Sequence, residues 1–345
     1  MVRLSAIGDT CHALAVVRRL QDNWPDARIS WIIGRTEAGL LGDIADIEFI
    51  IFDKRQGLGA YREVRDALAG RRFDVVLCMH ASLRVNWLYR SIGARTKLGF
   101  DKSRARDWQW LFTNERIGAQ PGEHALDAML GFATHIGAET RPVRWDIPLP
   151  DEALAFAARR MPEATVVISP VSSQRFRNYR NWPVERYRAI CERLTGELGF
   201  RVLLTGGGTE LERQYARALG EMPRVGSIVG ESSLKELVAV LKRAAFVICP
   251  DSGPAHMATA VGTPVIGLYA SSNPARTGPY RHPEFTVNRY PDAVTRFLSK
   301  TAGELRFGTR VRHPDAMSLI TIEDVNDKID DLMRYLAEDN DRSLN

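Results

Sequence analysis

The chain has 345 residues, and at about 150 residues per domain this length predicts two domains. Apolar residues make up 45% of the sequence and charged residues 26%, a composition typical of soluble globular proteins that excludes a disordered, collagen-like or disulfide-stapled chain. No apolar run approaches the ~18 residues that span a bilayer, and no secretion signal is expected at the N-terminus. The cysteines are far apart, and we expect them to be reduced, mostly buried thiols: Cys11, Cys78, Cys191 and Cys249.

The net charge of +5 is too small to indicate a nucleic-acid-binding protein. Of the 47 basic residues, 40 are arginine, whose planar guanidinium suits phosphate and carboxylate ligands. A composition bias across the genome would give the same count, so the placement of the arginines has to decide between the two explanations.

Short apolar runs alternate with amphipathic segments along most of the chain, which predicts βαβ units and parallel sheets, an α/β fold. Only residues 2–4 are available for an opening strand, so either that strand is very short or the chain start is trimmed. Further strands are predicted at 28–33, 47–52, 73–78, 163–168, 201–205, 225–229, 246–249 and 264–268. Helices are predicted at 11–22, 60–70, 123–137, 183–198, 209–219, 233–243 and 253–261.

The segment 141–150, RPVRWDIPLP, contains three prolines and interrupts the helical pattern. It predicts a boundary between two Rossmann-like halves at 1–148 and 151–320. A closing helix at 322–338 and a polar tail account for residues 321–345. In open parallel sheets ligands bind beyond the carboxyl ends of the strands, so the loops at those ends are the candidate site.

The first candidate is Gly8-Asp9, between the opening strand and the first helix. Gly8 permits a tight turn that brings backbone close to a ligand. Asp9 occupies the position of a helix N-cap, where a carboxylate stabilises the helix without a catalytic role. A carboxylate there could instead act as a general base. The residues alone leave both interpretations open.

The second candidate is Asp251-Ser252-Gly253-Pro254-Ala255-His256, directly after a predicted strand. Pro254 suits the first turn of a helix, and the small residues leave the N–H groups of that turn open. Such a helix start binds anions, and a diphosphate is the natural ligand. The alternative is a structural turn in which His256 only packs.

A third loop, residues 172–183, follows a predicted strand and contains Arg175, Arg177 and Arg180. Arginines in such a run usually face solvent, but their place at the carboxyl end of a strand favours phosphate binding. A fourth loop, Gly206–Gly208, lacks the Lys-Ser/Thr of a P-loop. After it, Glu210 either accepts a ribose hydroxyl or stabilises a helix N-terminus.

Metal chemistry is not expected. No His/Cys set has metal-ligand spacing, and the Asp-x-Asp motif, 339–341, belongs to the polar tail. We therefore predict a reaction without a metal or other cofactor.

Taken together, these motifs resemble the lipopolysaccharide heptosyltransferases of glycosyltransferase family nine. The resemblance extends from residue 5 to about residue 280 and includes SAIGDTCHALAVVRRL, SPVSS…RNWPVERY, LLTGGGTELE and CPDSGPAHMATAVGTPVIGLYASSNPARTGPY. It implies a GT-B fold, in which an N-terminal acceptor domain and a C-terminal ADP-heptose domain face a central cleft. It also implies an inverting, metal-independent transfer of heptose to Kdo-bearing lipid A by a cytoplasmic enzyme on the inner membrane surface.

The resemblance assigns roles by motif position. Asp9 would be the general base, and Arg180, where members commonly have a lysine, would hold the leaving diphosphate. The remaining residues assigned to the nucleotide sugar are Ser172, Gly207, Glu210, Asp251, Ser252, Gly253 and His256.

The acceptor is assigned to the first half. The segment 84–106 has seven basic residues and one acid, Asp101, and it interleaves Trp87, Tyr89 and Phe100 with the charges. This pattern suits an acidic sugar phosphate next to acyl chains, although such a run is usually a solvated surface. The predicted acceptor contacts are Ser5, His12, His80, Lys97, Lys102, Arg104 and Arg106.

Basic residues crowd the acceptor half, which favours addition of the first heptose over the second. A nucleotide-sugar epimerase or hydrolase of the same fold is the alternative enzyme. A non-catalytic nucleotide-binding module or a basic nucleic-acid binder is the alternative without turnover; nucleic acid is not among the partners we expect.

Overall fold

The computed structural model describes residues 1–173 and 176–343, with side chains up to residue 338. The chain divides into two compact units, Met1–Pro148 and a second that begins at Leu149. Each unit is built on a parallel sheet with helices. Within the described residues, no helix is both long and apolar enough to cross a bilayer.

The sheet of the first unit is centred on the opening residues of the chain. Val2 forms parallel bridges with both Ile32 and Cys78, and the backbone N–H of Gly34 donates to the Leu4 carbonyl at 3.1 Å. The opening residues thus pair with a strand on either side. The opening residues therefore join β1–β2 and β3–β4–β5 into one sheet. The strands are β1 (Ile29–Gly34), β2 (Ile47–Phe52), β3 (Phe73–Leu77), β4 (Ala94–Gly99) and β5 (Glu115–Arg116).

Five helices accompany this sheet, and the first packs against the last. The first is rich in alanine, leucine and valine and is buried along most of its length. They are α1 (Ile7–Asn23), α2 (Arg35–Leu41), α3 (Leu58–Ala67), α4 (Leu83–Arg90) and α5 (Ala125–His135).

The second unit has a six-stranded, wholly parallel sheet in the order β11-β10-β9-β6-β7-β8. Its central strands are buried along their full length, as expected for a sheet covered on both faces. The strands are β6 (Thr165–Ile168), β7 (Arg201–Leu204), β8 (Val225–Ser227), β9 (Val247–Pro250), β10 (Val265–Tyr269) and β11 (Val287–Asn288).

The helices of the second unit begin with one that follows the proline-rich segment and packs on α9. The last is the predicted closing helix, whose residues Val325, Ile329 and Leu332 enter the core of this unit. They are α6 (Asp151–Arg160), α7 (Val184–Glu192), α8 (Glu210–Gly220), α9 (Leu234–Arg243), α10 (Gly253–Ala260), α11 (Pro274–Thr277), α12 (Tyr290–Leu298) and α13 (Ile322–Ser343).

The predicted elements are present, but the sequence analysis missed several short ones. β4 was not predicted because charged and polar residues occupy most of its ARTKLG sequence, and α4 begins the same basic segment. The first helix begins at Ile7, not at residue 11. Asp9 is therefore inside its first turn and is not its N-cap, which corrects the N-cap placement.

Candidate active site

Asp9 is ion-paired to Arg3 of the opening strand. The Arg3 Nη2 to Asp9 Oδ2 distance is 2.5 Å, and Asp9 also accepts the Ala6 backbone N–H at 3.3 Å. Arg3 is fixed from its other side by donating to the Met79 carbonyl at 2.6 Å. The arginine side chain is 11% exposed and the carboxylate 39%. The carboxylate is therefore oriented by the protein and still reaches solvent.

His80 and Glu37 surround this ion pair. His80 Nδ1 accepts the Leu4 backbone N–H at 3.3 Å, and burial, with Arg3 adding to it, lowers the pKa of His80 to about 4. The imidazole is neutral at pH 7. Glu37 is buried, and its pKa is raised mainly by desolvation, with Asp9 adding to the effect and Arg3 opposing it.

These groups meet because of strand order. Leu4, Gly34 and Leu77 end three neighbouring segments of one parallel sheet, so the residues that follow them share an edge. Asp9, Glu37 and His80 each follow one of those ends.

The predicted acceptor contacts next to Asp9 differ in exposure. Ser5 is exposed. His12 is 4% exposed and its ring packs edge-on against His124, with 5.7 Å between ring centroids. Since His124 caps α5 by accepting the Leu126 N–H at 3.1 Å, this pair joins α1 to α5. Burial favours a packing role for His12 over direct acceptor contact.

In the second unit, the start of α10 has the features of an anion site. Ser252 is its N-cap and makes no side-chain capping bond, Gly253 is its first residue, and Pro254 lies in its first turn. The buried Ser252 hydroxyl lies beside the Cys249 thiol and makes no hydrogen bond to nitrogen or oxygen within the described residues. His256 is half-buried one position beyond this turn.

Arg180 and Asp251 form a buried ion pair at this helix start. Arg180 Nη1 donates to the Asp251 carbonyl at 2.6 Å and to its Oδ2 at 3.1 Å, and both side chains are 10% exposed or less. Arg310 Nη2 lies 3.7 Å from the same carboxylate oxygen. The sequence analysis missed Arg310, which has no motif around it. Two guanidiniums thus flank the carboxylate that precedes α10.

The loop before α7 is held by its own polar side chains. Ser172 Oγ donates to Asn181 Oδ1 at 2.9 Å and accepts from Asn178 Nδ2 at 2.8 Å. Arg180 Nε donates to Asn178 Oδ1 at 2.5 Å. Ser172 is therefore engaged inside the loop, and the asparagines, which the sequence analysis did not single out, connect it to Arg180. Arg177 is exposed, and Arg175 lies outside the described residues.

The glycine loop after β7 is closed by a capping box. Glu212 accepts the N–H groups of Gly207 at 2.9 Å and Thr209 at 2.7 Å. Gly208 has a φ of +85°, and a Cβ there would lie 2.9 Å from the Gly230 Cα, so only glycine fits. Glu210 is paired with Arg217 at 2.7 Å. The Gly207 N–H and the Glu210 carboxylate are therefore both engaged within the protein.

The cations of the predicted acceptor segment fall into two groups in the structure, those engaged with other groups of the protein and those exposed to solvent. Lys97 Nζ donates to the Tyr89 carbonyl at 2.6 Å. Arg104 pairs with Asp101 and, at 2.6 Å, with Glu123. The position of Tyr89 among the charges predicted contact with a ligand. In the structure its side chain is 0% exposed and does not face one. These three residues hold the fold of the segment.

Lys102 and Arg106 are exposed instead. They line an open cavity of about 860 Å³ together with Arg116 and the indoles of Trp108 and Trp110. The sequence analysis did not single out these two tryptophans, although their spacing beside the basic run is visible in the sequence.

Among the residues that the structure describes, no group of three or more His, Cys, Asp or Glu side chains could hold a metal ion. All four cysteines are buried as free thiols, as expected.

Known proteins resemble most of the chain. The model of glycosyltransferase family 9 (heptosyltransferase) matches residues 61–295. The lipopolysaccharide core heptosyltransferase OpsX of Haemophilus influenzae is 34% identical over 329 residues, 94% of each chain. The structure of E. coli heptosyltransferase WaaC with ADP is similar, with a TM-score of 0.74 at 21% identity over 96% of this chain and 98% of that one. TibC, an iron-containing dodecameric glycosyltransferase of enterotoxigenic E. coli, has a TM-score of 0.54 at 16% identity over 97% and 75%. Likeness to WaaC and TibC shows the fold alone, and the predicted α/β, GT-B fold class is confirmed.

Proposed function

The chain belongs to glycosyltransferase family 9, and from that membership we propose that it transfers heptose from ADP-heptose to the Kdo of lipid A in the lipopolysaccharide inner core. The observation that carries the proposal is the 34% identity to a lipopolysaccharide core heptosyltransferase over 94% of both chains. Addition of the first heptose is favoured by the basic surface of the first unit. The proposed location is the cytoplasm, peripheral to the inner membrane.

The proposed base is Asp9. In an inverting transfer, a base removes the proton from the acceptor hydroxyl as its oxygen attacks the anomeric carbon. The bond from that carbon to the diphosphate then breaks, and ADP leaves with the negative charge. Support for Asp9 comes from its half-exposed carboxylate, which the Arg3 ion pair orients.

We assign the diphosphate to the start of α10. Its first-turn N–H groups, the Ser252 hydroxyl and the positive end of the helix dipole all favour a dianionic group. Arg180 and Arg310 add positive charge around Asp251. Stabilising the charge that grows on the departing phosphate in this way requires no metal. Ser172 and Asn178 position Arg180 through the loop hydrogen bonds.

The experiment that tests the proposal is incubation of the protein with ADP-heptose and defined Kdo-bearing acceptors, with the product read by mass. We expect acceptor-dependent ADP release and a product one heptose heavier. ADP release without acceptor, or an altered nucleotide sugar, would instead identify the hydrolase or epimerase alternative.

A chelator arm tests the metal-free part separately. Turnover should be unchanged in excess chelator. A requirement for added magnesium, manganese or iron would contradict this mechanism but not the transferase assignment.

A further inference from the structure

One face of the first unit concentrates exposed apolar side chains. Of the large apolar residues in the described chain that are exposed, five fall within residues 83–111. Trp108 is 62% exposed and Trp110 51%. The five are Leu83, Trp87, Trp108, Trp110 and Leu111. We call these five residues, together with the exposed cations Arg90, Lys102, Arg106 and Arg116, the tryptophan face.

These side chains occupy one continuous surface. Leu83 and Trp108 line both the 860 Å³ cavity described above and a second cavity of about 600 Å³ that also contains Trp87 and Leu111. The two cavities therefore adjoin, and the apolar groups surround them. A contiguous apolar patch of this kind on a soluble protein marks an interaction surface.

The tryptophans are held outward by a fixed loop. Gln109, 1% exposed, donates to the Cys78 carbonyl at 2.8 Å. Asn86, also buried, donates to the Asp107 carbonyl at 2.7 Å. These buried amides fix the chain on both sides of Trp108, whose indole is exposed in this conformation.

Cations surround the same face, and the one acid that lines its larger cavity, Asp107, accepts the Leu83 backbone N–H at 3.0 Å. Within the described residues, no carboxylate pairs with Arg90, Lys102, Arg106 or Arg116, and all four are exposed. The Arg90 guanidinium lies over the Trp87 ring, 5.2 Å from its centroid. By contrast, other arginines of this unit form ion pairs with carboxylates, among them Arg35, Arg71 and Arg144.

Indoles with one apolar and one polar edge favour the boundary between water and lipid. Unpaired lysine and arginine beside them favour the negative potential of an anionic bilayer. We infer that the tryptophan face docks the protein on an anionic phospholipid surface, with Trp108 and Trp110 inserted among the headgroups. The inference rests on the proposed function only in that a lipid-borne acceptor would be met at such a surface.

The test is flotation of the full chain with vesicles that contain neither acceptor nor ADP-heptose. We expect binding to phosphatidylglycerol–phosphatidylethanolamine vesicles, little binding to phosphatidylcholine vesicles, and release at 1 M salt, where the Debye length falls to ~3 Å. Equal binding to both vesicle types, or to neither, would overturn the inference.

Two variants locate the surface. Trp108→Ala/Trp110→Ala should lower the partition coefficient about a hundredfold, at about tenfold per indole. Lys102→Gln/Arg106→Gln/Arg116→Gln should lower it by a similar factor at low salt. The matched controls are Trp24→Ala, a partly exposed indole elsewhere, and Arg28→Gln/Arg72→Gln/Arg159→Gln, which removes the same charge from exposed positions outside the face. All variants should keep the wild-type Tm, because the altered side chains are on the surface.

Other outcomes are decisive too. The lipid assignment fails if the controls lose vesicle binding as much as the face variants. It also fails if the face variants keep vesicle binding and lose self-association or RNA binding instead. Transfer to a deacylated, water-soluble acceptor is measured in parallel. Vesicle binding without transfer would refute the proposed function and support the docking surface. Transfer without vesicle binding would refute the docking surface and support the proposed function.

Discussion

Two arginine–aspartate pairs at the carboxyl edges of the sheets, Arg3–Asp9 in the first unit and Arg180–Asp251 in the second, are built differently. In the first unit the Arg3 side chain is 11% exposed and the Asp9 side chain 39% exposed. In the second, Arg180 is 10% exposed and Asp251 only 6%. The two arginines are almost equally buried, so the exposure of the carboxylate is the difference.

That difference separates chemistry from architecture. A half-exposed carboxylate can exchange a proton with a substrate, and its ion pair contributes little to stability because water screens it. A fully buried carboxylate has lost its hydration, so its pair must remain intact for the fold. We therefore expect Asp9 to matter mainly for rate and Asp251 mainly for stability. The assignment of the two sites to base and diphosphate stays a prediction.

The largest expected effect is on turnover. Asp9→Asn keeps the shape of the side chain and removes its basicity, so kcat should fall by ~10²–10⁴-fold. Tm and ADP affinity should change little. Steady-state kinetics, ADP titration and a melt measure the three quantities.

The control for this variant is Asp66→Asn, an exposed carboxylate on α3 whose side chain is 70% exposed, which should keep full activity. A large fall in Tm with the rate retained would show that Asp9 is only a helix-stabilising residue.

Next in size is the buried pair. Asp251→Asn should lower the free energy of unfolding of the second unit by about 3 kcal/mol, because it leaves Arg180 buried without its counter-charge. Arg180→Ala should lower both stability and kcat, since phosphate charge grows as the sugar bond breaks.

Combining the two substitutions separates the roles. If the pair is purely architectural, the double variant should be no less stable than the worse single variant, and kcat should follow stability. A loss of kcat by Arg180→Ala that Asp251→Asn does not share supports contact with the leaving group. A change confined to KM would make Arg180 a uniform binder.

The environment of the Asp9 pair is also readable by pH. The pKa of His80 is about 4 in the fold, against ~6.5 in the unfolded chain. Between these values the unfolded chain binds a proton that the folded chain does not, so stability is full above about pH 6.5 and falls toward pH 4. The loss should reach about 2 kcal/mol at pH 5. Urea melts of the wild type and His80→Asn measure it; a slope that survives in the variant would assign the effect to other groups.

The smallest effect concerns the two kinds of cation in the acceptor segment. With a water-soluble acceptor, Lys102→Gln/Arg106→Gln should raise the acceptor KM about tenfold and flatten its salt dependence, with the KM for ADP-heptose unchanged. Arg104→Gln should act on stability instead, since that guanidinium is paired with Asp101 and Glu123. An acceptor KM unchanged in the first variant would make these cations surface charge with no acceptor role.

Much of the fold could be predicted from hydrophobic periodicity. The alternation of apolar strands and amphipathic helices was sufficient for the α/β class, since buried parallel strands have little freedom in composition. The motifs after the strands were sufficient for the family, which the matches confirm. Short elements such as β4 escaped because their backbone pairing, not their side chains, makes them strands.

What only tertiary structure decided is which polar groups are already engaged. The sequence treats Arg104 and Arg106 alike, yet one is paired with carboxylates that lie 3 and 19 residues away and the other is exposed. It indicates Asp9 but not Arg3 or Glu37 beside it, because they meet only when three parallel segments end at one edge. Charge and hydrophobic pattern are local properties of a chain, whereas burial and pairing depend on residues far apart in sequence. The sequence therefore determined the fold class and the motifs. The packed structure determined which of the motif residues are buried, paired or exposed.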